Sequence, residues 1–147
     1  MATCPARLRC GGVRTPHIRR EGRQGADLVT AIVLSCDAYH PLAEHMIRRY
    51  DLLWPNHPFM FRVPYQSAPS DASSLALRRA SNVQLVRTPP DIRATILNLL
   101  DDLPNDQWVY WSIDDKYAID IDPIAMASAI EWIPSLAKDI KGVLLCR

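Results

Sequence analysis

Leu28 to Ser35, L-V-T-A-I-V-L-S, is a nearly unbroken apolar run that stops on Cys36-Asp37. A strand with one wet face would alternate apolar and polar residues. A run without alternation reads as a strand covered on both faces, the situation at the centre of a parallel sheet. Such a sheet needs helical crossovers, and the chain supplies candidates. Ala38 to Trp54 reads as a helix, with Leu42, Met46 and Ile47 near helical spacing, Pro41 suited to a first turn and Pro55 marking the stop. Phe59 to Val63 reads as a second strand, bounded by Pro58 and Pro64. Gln66 to Ser81 is a Ser/Ala-rich connection with a short helical turn at Leu75 to Arg79, and Asn82 to Val86 reads as a third strand.

Thr88-Pro89-Pro90-Asp91 punctuates the chain and caps a helix over Ile92 to Leu100, where Ile92, Ile96, Leu99 and Leu100 form one face. Trp108 to Ile113 is short, aromatic and β-branched, follows the turn-like Leu103-Pro104-Asn105-Asp106, and reads as a fourth strand. Pro123 to Trp132 reads as a helix and Gly142 to Cys146 as a last strand. This alternation implies an α/β fold of three layers, Rossmann-like, with a mostly parallel sheet and helices on both faces.

A chain of 147 residues buries one core, so one α/β domain is expected over residues 27–147. Residues 1–26 carry six Arg and one Glu with little apolar periodicity, which predicts a disordered basic leader and leaves the domain net acidic. Its scattered arginines, without interleaved aromatics, do not make a specific nucleic-acid site. Cys4, Cys10, Cys36 and Cys146 form no C-x-x-C pair and have no His at zinc-ligand spacing. No apolar stretch reaches the length of a membrane span, and the leader lacks the apolar segment of a secretory signal. A cytoplasmic protein is expected, with peripheral association at the inner membrane left open.

The chemistry is expected where the fourth strand stops on two adjacent carboxylates, Asp114 and Asp115, with Asp120 and Asp122 close behind. Ligands of open α/β sheets bind outside the carboxyl ends of strands. Neighbouring carboxylates repel unless a cation or strong donors offset them, so the pair suits Mg²⁺ or Mn²⁺ with open positions for a substrate diphosphate. A solvated acidic loop is the plainer alternative. Asp37, at the first strand's tip, is placed to accept hydrogen bonds from a nucleobase or ribose, or else to cap the following helix. Tyr39 is placed to stack on a base or simply to pack. His40, His45 and His57 have no evident carboxylate or nucleophile partner, Cys36 has no neighbouring cation to activate it, and Ser35 lacks the G-x-S-x-G context. The absence of G-x-G-x-x-G and of a P-loop argues against dinucleotide oxidoreductases and ordinary NTPases.

Ser35-Cys36-Asp37-Ala38-Tyr39 after the first strand, and Trp54-Pro55-Asn56-His57-Pro58 before the second, resemble the opening of bacterial nucleotide-sugar glycosyltransferases with a GT-A-like fold. Trp111-Ser112-Ile113-Asp114-Asp115-Lys116-Tyr117 looks like their strand ending in an acidic pair, although the element is D-D here rather than D-x-D. The resemblance spans about Asp27 to Arg147. It implies transfer of a sugar from a nucleotide-diphosphate donor to a saccharide or lipid-linked acceptor in surface-glycan assembly. By that resemblance Ser35, Cys36, Asp37 and Tyr39 flank the nucleoside, and Asp114 and Asp115 face the diphosphate and a Mn²⁺ or Mg²⁺ ion. Family members continue beyond the point this chain reaches, so the expectation is their N-terminal donor-binding portion, truncated and incomplete as an enzyme. Two other classes stay in view: a phosphoryl-receiver-like signalling domain, kept open by Lys116 and Lys141, and a catalytically silent nucleotide-binding fragment.

Overall fold

The computed structural model describes residues 28–67, 72–136, 140 and 142–143. The leader expected over residues 1–26 lies outside the described residues, as do positions 144–146 of the expected last strand. Gly142 and Val143, which would begin that strand, have no strand conformation.

The chain alternates strand and helix: β1 (Val29–Leu34), a 3-10 turn (Asp37–Tyr39), α1 (His40–Leu53), β2 (Phe59–Tyr65), α2 (Ala72–Arg79), β3 (Val83–Arg87), α3 (Ile92–Leu100), β4 (Tyr110–Ile113), α4 (Pro123–Trp132) and a closing 3-10 turn (Ile133–Ser135). The four strands pair in parallel in the order β3-β2-β1-β4. The fold is α/β and Rossmann-like. β1 is flanked on both sides, and Ala31, Ile32 and Val33 are fully buried, which is why its sequence has no polar alternation.

Alternation along the strands sorts the layers. Ala31, Val33, Phe59, Phe61 and Val63 join Ala43, Met46, Ile47 and Tyr50 of α1 and Leu77 of α2 in one core, so α1 and α2 cover this face. Met126 and Ile130 pack against the same core and bring α4 to that side. Arg62, between Phe61 and Val63, points to the opposite face. There its Nη1 donates to the Asp101 carbonyl at 3.2 Å and to the Asp102 carboxylate at 2.8 Å, just past the end of α3. α3 therefore covers the second face over β2 and β3.

Several boundaries differ from those read in the sequence, each for a local reason. α1 starts at His40 because Asp37–Tyr39 form a 3-10 turn first. β2 runs through Pro64 instead of stopping before it. Its ladder with β1 ends at Arg62, so the missing Pro64 N–H removes no pairing, and the Pro64 carbonyl accepts from His40 Nε2 at 2.9 Å. α2 begins at Ala72, earlier than the turn expected at Leu75. β4 begins at Tyr110, two residues later than expected, and is an edge of the sheet among the described residues. Tyr110 and Ser112 face α1, with Ser112 Oγ donating to Met46 Sδ at 2.9 Å. Trp111 and Ile113 project from the other face, 44% and 39% exposed.

An aromatic cluster locks α1 to strands β2 and β4. Phe59 stacks on Tyr110 at 4.7 Å, and Tyr50 meets both edge-on at 5.8 and 6.1 Å. The Tyr50 and Tyr110 hydroxyls share a hydrogen bond of 2.9 Å. Burial, then the bond to Tyr110 and the charge that Tyr110 would carry, raise the Tyr50 hydroxyl above the ordinary tyrosine range. A raised folded-state value means that the stabilising contribution is complete below the unfolded pKa of about 10 and falls as pH rises beyond it. Urea midpoints measured between pH 8 and 11 should therefore decline on the alkaline side more steeply for the wild type than for Tyr50→Phe. At neutral pH the substitution should cost about 1 kcal/mol for the lost hydrogen bond.

Candidate functional site at the strand tips

β1 and β4 run side by side with Leu34 opposite Ile113. The residues that follow them, Ser35-Cys36-Asp37 and Asp114-Asp115, therefore leave the sheet along the same edge, and the Asp114 N–H donates to the Leu34 carbonyl at 3.3 Å. β2 and β3 lie on the other side of β1. Strand order reverses between β1 and β4, and it is outside the carboxyl ends of strands at such a switch point that open α/β sheets hold their ligands in a crevice.

The two carboxylates are unequal. Asp114 continues the inward side of Tyr110 and Ser112 and is only 6% exposed. Among the described residues its Oδ2 has no hydrogen-bond partner. A buried acceptor left unsatisfied costs about 1–3 kcal/mol, more when charged, so such a group asks for an ion or a donor. Asp115 is exposed. The other two acids of the segment are committed locally: Asp120 accepts from the Ile121 N–H, and Asp122 caps α4 by accepting from Ile124 and Ala125.

On the β1 side, Cys36 is a half-buried free thiol, and Ser35 Oγ makes a long 3.4 Å contact with the Cys36 carbonyl. Tyr39 is 54% exposed, so its ring is open to a stacking partner. Asp37 has partners within the fold that the sequence does not show. It does not cap α1, whose N-terminus lacks a side-chain cap. Instead its two oxygens accept the backbone N–H groups of Gln66 and Ser67, each at 2.8 Å, just past the tip of β2. His40, almost fully buried, stands 3.9 Å from Asp37 Oδ1 while bonding to Pro64, so β1's exit is tied to β2's exit at two points. Gln66, Ser67 and His40 were invisible as site-shaping residues because their contacts cross from one strand tip to the next.

The structure corrects the reading that no histidine has a carboxylate partner. His57 Nε2 lies 3.0 Å from Asp51 Oδ1, which also accepts from Asn82 Nδ2 at 2.9 Å. His57 Nδ1 accepts the Phe59 N–H at 3.1 Å, so both ring nitrogens are used to fasten the entry to β2. This cluster borders a polar cavity of about 530 Å³, lined also by Asn56, Arg79 and Ser81, at the amino ends of the strands and away from the crevice.

Mg²⁺ is usually held by one or two carboxylates together with substrate phosphates. The unpartnered Asp114 Oδ2 beside exposed Asp115 fits that donor set. Among the described residues no group of three or more His, Cys, Asp or Glu side chains comes together to hold a metal ion. A cation at this site would thus take most of its ligands from phosphate and water.

No protein-family model, curated protein or solved structure matches the chain. Among the described residues no helix is long and apolar enough to cross a membrane.

Replacing Asp37 by Ala should lower stability by about 1–3 kcal/mol, since two charge-assisted hydrogen bonds to backbone donors are lost. Denaturant titration measures the loss. Faster amide exchange at Gln66 and Ser67, with little change at β3, would locate it at the tip of β2.

Proposed function

We propose that the chain is the donor-binding part of a GT-A-like glycosyltransferase, transferring a sugar from a nucleotide-diphosphate donor to a saccharide or lipid-linked acceptor. The observation that carries this reading is the unpartnered, buried Asp114 Oδ2 at the switch point between β1 and β4. Two of the three stretches that resemble nucleotide-sugar glycosyltransferases, Ser35 to Tyr39 and Trp111 to Tyr117, come from chain positions far apart and leave the sheet side by side; the third, Trp54 to Pro58, lies at the amino end of β2.

The chemistry follows from charge. When the bond from sugar to diphosphate breaks, negative charge gathers on the leaving phosphate oxygens. Mn²⁺ or Mg²⁺ bound with the donor would neutralise that charge. Asp114 would hold the cation side of the donor, with Asp115 completing the acidic rim. Tyr39 offers a ring to the base, and Ser35 and Cys36 line the nucleoside side. Asp37 enters this scheme as the residue that holds Gln66 and Ser67 at the rim, rather than as a direct reader of the base. Surface-glycan assembly and a place at the inner membrane belong to the same reading.

Strand order weighs against the receiver-like alternative. Receiver-like sheets have the order 2-1-3-4-5, whereas here β2 and β3 lie on the same side of β1. The single acid at the β1 tip also has both oxygens occupied by backbone donors.

A thermal-shift screen of nucleoside diphosphates with and without Mn²⁺ tests the proposal. Saturation at a hundredfold excess over Kd should stabilise the fold by about 2.7 kcal/mol. Asp114→Asn should remove the metal-dependent part, and Asp115→Asn should weaken it less. If no diphosphate moves the transition, or if acetyl phosphate adds the mass of a phosphoryl group, the proposal is wrong.

A further inference from the structure

Lys116 to Asp122, the segment that leaves the acidic pair, has no regular secondary structure apart from a bend, yet it follows a defined path over α1. The Lys116 N–H bonds back to Ile113, and Asp120 bonds only to the next residue. Among the described residues, the hydrogen bonds that cross from Lys116–Ile121 to another element come from Arg49, whose Nε donates to the Ala118 carbonyl at 3.3 Å and whose Nη2 donates to the Ile119 carbonyl at 3.1 Å. One turn earlier on the same helix face, His45 meets the Tyr117 ring edge-on at 5.0 Å. α1 thus presents a two-residue rail for the chain that follows the carboxylates.

The choice of residue is informative. A planar guanidinium reaches two successive carbonyls with separate N–H groups, which an ammonium on a flexible stem does not reproduce. Arg49 forms no salt bridge among the described residues, so the two carbonyls are the partners its guanidinium has there. Ala118 and Ile121 pack against the core, but Ile119 between them is 87% exposed, so the bend itself is held at its backbone rather than by burial of its own side chain.

We propose that Arg49 is a positioning residue of the strand-tip site: it fixes the course of Lys116–Ile121 so that the acidic pair meets a diphosphate in one arrangement. The inference rests on the nucleotide-diphosphate reading of the crevice. It predicts that the guanidinium sets donor affinity from α1, through the backbone of the acidic segment and without touching the donor.

Calorimetric titration of UDP, GDP and dTDP, each with Mn²⁺, into the full chain tests it on Arg49→Ala, Arg49→Gln and Arg49→Lys. Arg48→Ala, which removes only an exposed partner of Glu44, serves as control. For the diphosphate that the wild type binds, Arg49→Ala should weaken affinity about tenfold, the equivalent of one lost hydrogen-bond arrangement. Arg49→Lys should recover part of the affinity and Arg49→Gln less, whereas the control should leave it unchanged. Amide exchange at residues 116–121 should accelerate in Arg49→Ala and slow again when Mn²⁺ and the diphosphate are added. If the wild type binds but the Arg49 variants bind as well as it does, the positioning role is wrong and the nucleotide reading stands. If the wild type binds none of the three diphosphates, both fall. Should Arg49→Ala fail to fold, the Lys and Gln variants carry the comparison.

Discussion

The parallel pairing of β1 with β4 is the interaction on which the rest depends. It joins segments nearly eighty residues apart and sets Leu34 against Ile113, so that two chain exits share one rim. The pairing is held from below by the aromatic contacts among Tyr50, Phe59 and Tyr110, whose mutual packing tolerates little change of register. A one-residue slip would move Ser112 and Asp114 to the opposite face and bring Trp111 and Ile113 against α1. The geometry of the crevice is therefore a consequence of core packing and needs no separate device.

Around those strand ends, two aspartates differ in how fully they are satisfied. Asp37 is fully engaged with backbone donors and, with His40, binds the exits of β1 and β2 into one rigid arch. Asp114 is buried but incompletely satisfied. A protein tolerates such a group where something else completes it, and its neighbour Asp115 adds to the local demand for positive charge. Arg49 lies on the other side of this segment and grips main-chain carbonyls rather than a carboxylate.

Most of the sheet was legible because its signals are local. Continuous apolar character marks β1, the turn at Leu103 to Asp106 and the aromatic run mark β4, and Asp91 stands where a helix cap belongs, with the cap formed; Asp122, read only as a further acid behind the pair, caps α4. Pro64 misled as a strand terminator, since proline's effect depends on where the neighbouring ladder ends and no periodicity reports that. The acidic pair has a sound physical signal in the sequence, but its asymmetry has none: Asp114 follows β4 on the inward side set by Ser112 and Met46 and is buried, whereas Asp115 is the exposed residue of the turn after it. The partners Asp37 has within the fold are unreadable for a related reason. Its partners, Gln66 and Ser67, are thirty residues away, and a lone acid at a strand tip has the same sequence appearance whether it holds a ligand or a neighbouring loop.

The outer flank of β4, unpaired among the described residues, has a consequence for how this protein behaves in concentrated solution. Tyr110–Ile113 carries no proline and no charge, and among the described residues nothing pairs with its outer side. Natural sheets usually guard such a border with lysine, proline or a bulge, because free backbone donors and acceptors template the addition of any extended chain. With Trp111 and Ile113 adding apolar surface alongside, self-association should start at this border, and a single lysine at position 111 would be the economical way to suppress it while leaving Ser112 and Asp114 on the other side of the pleat.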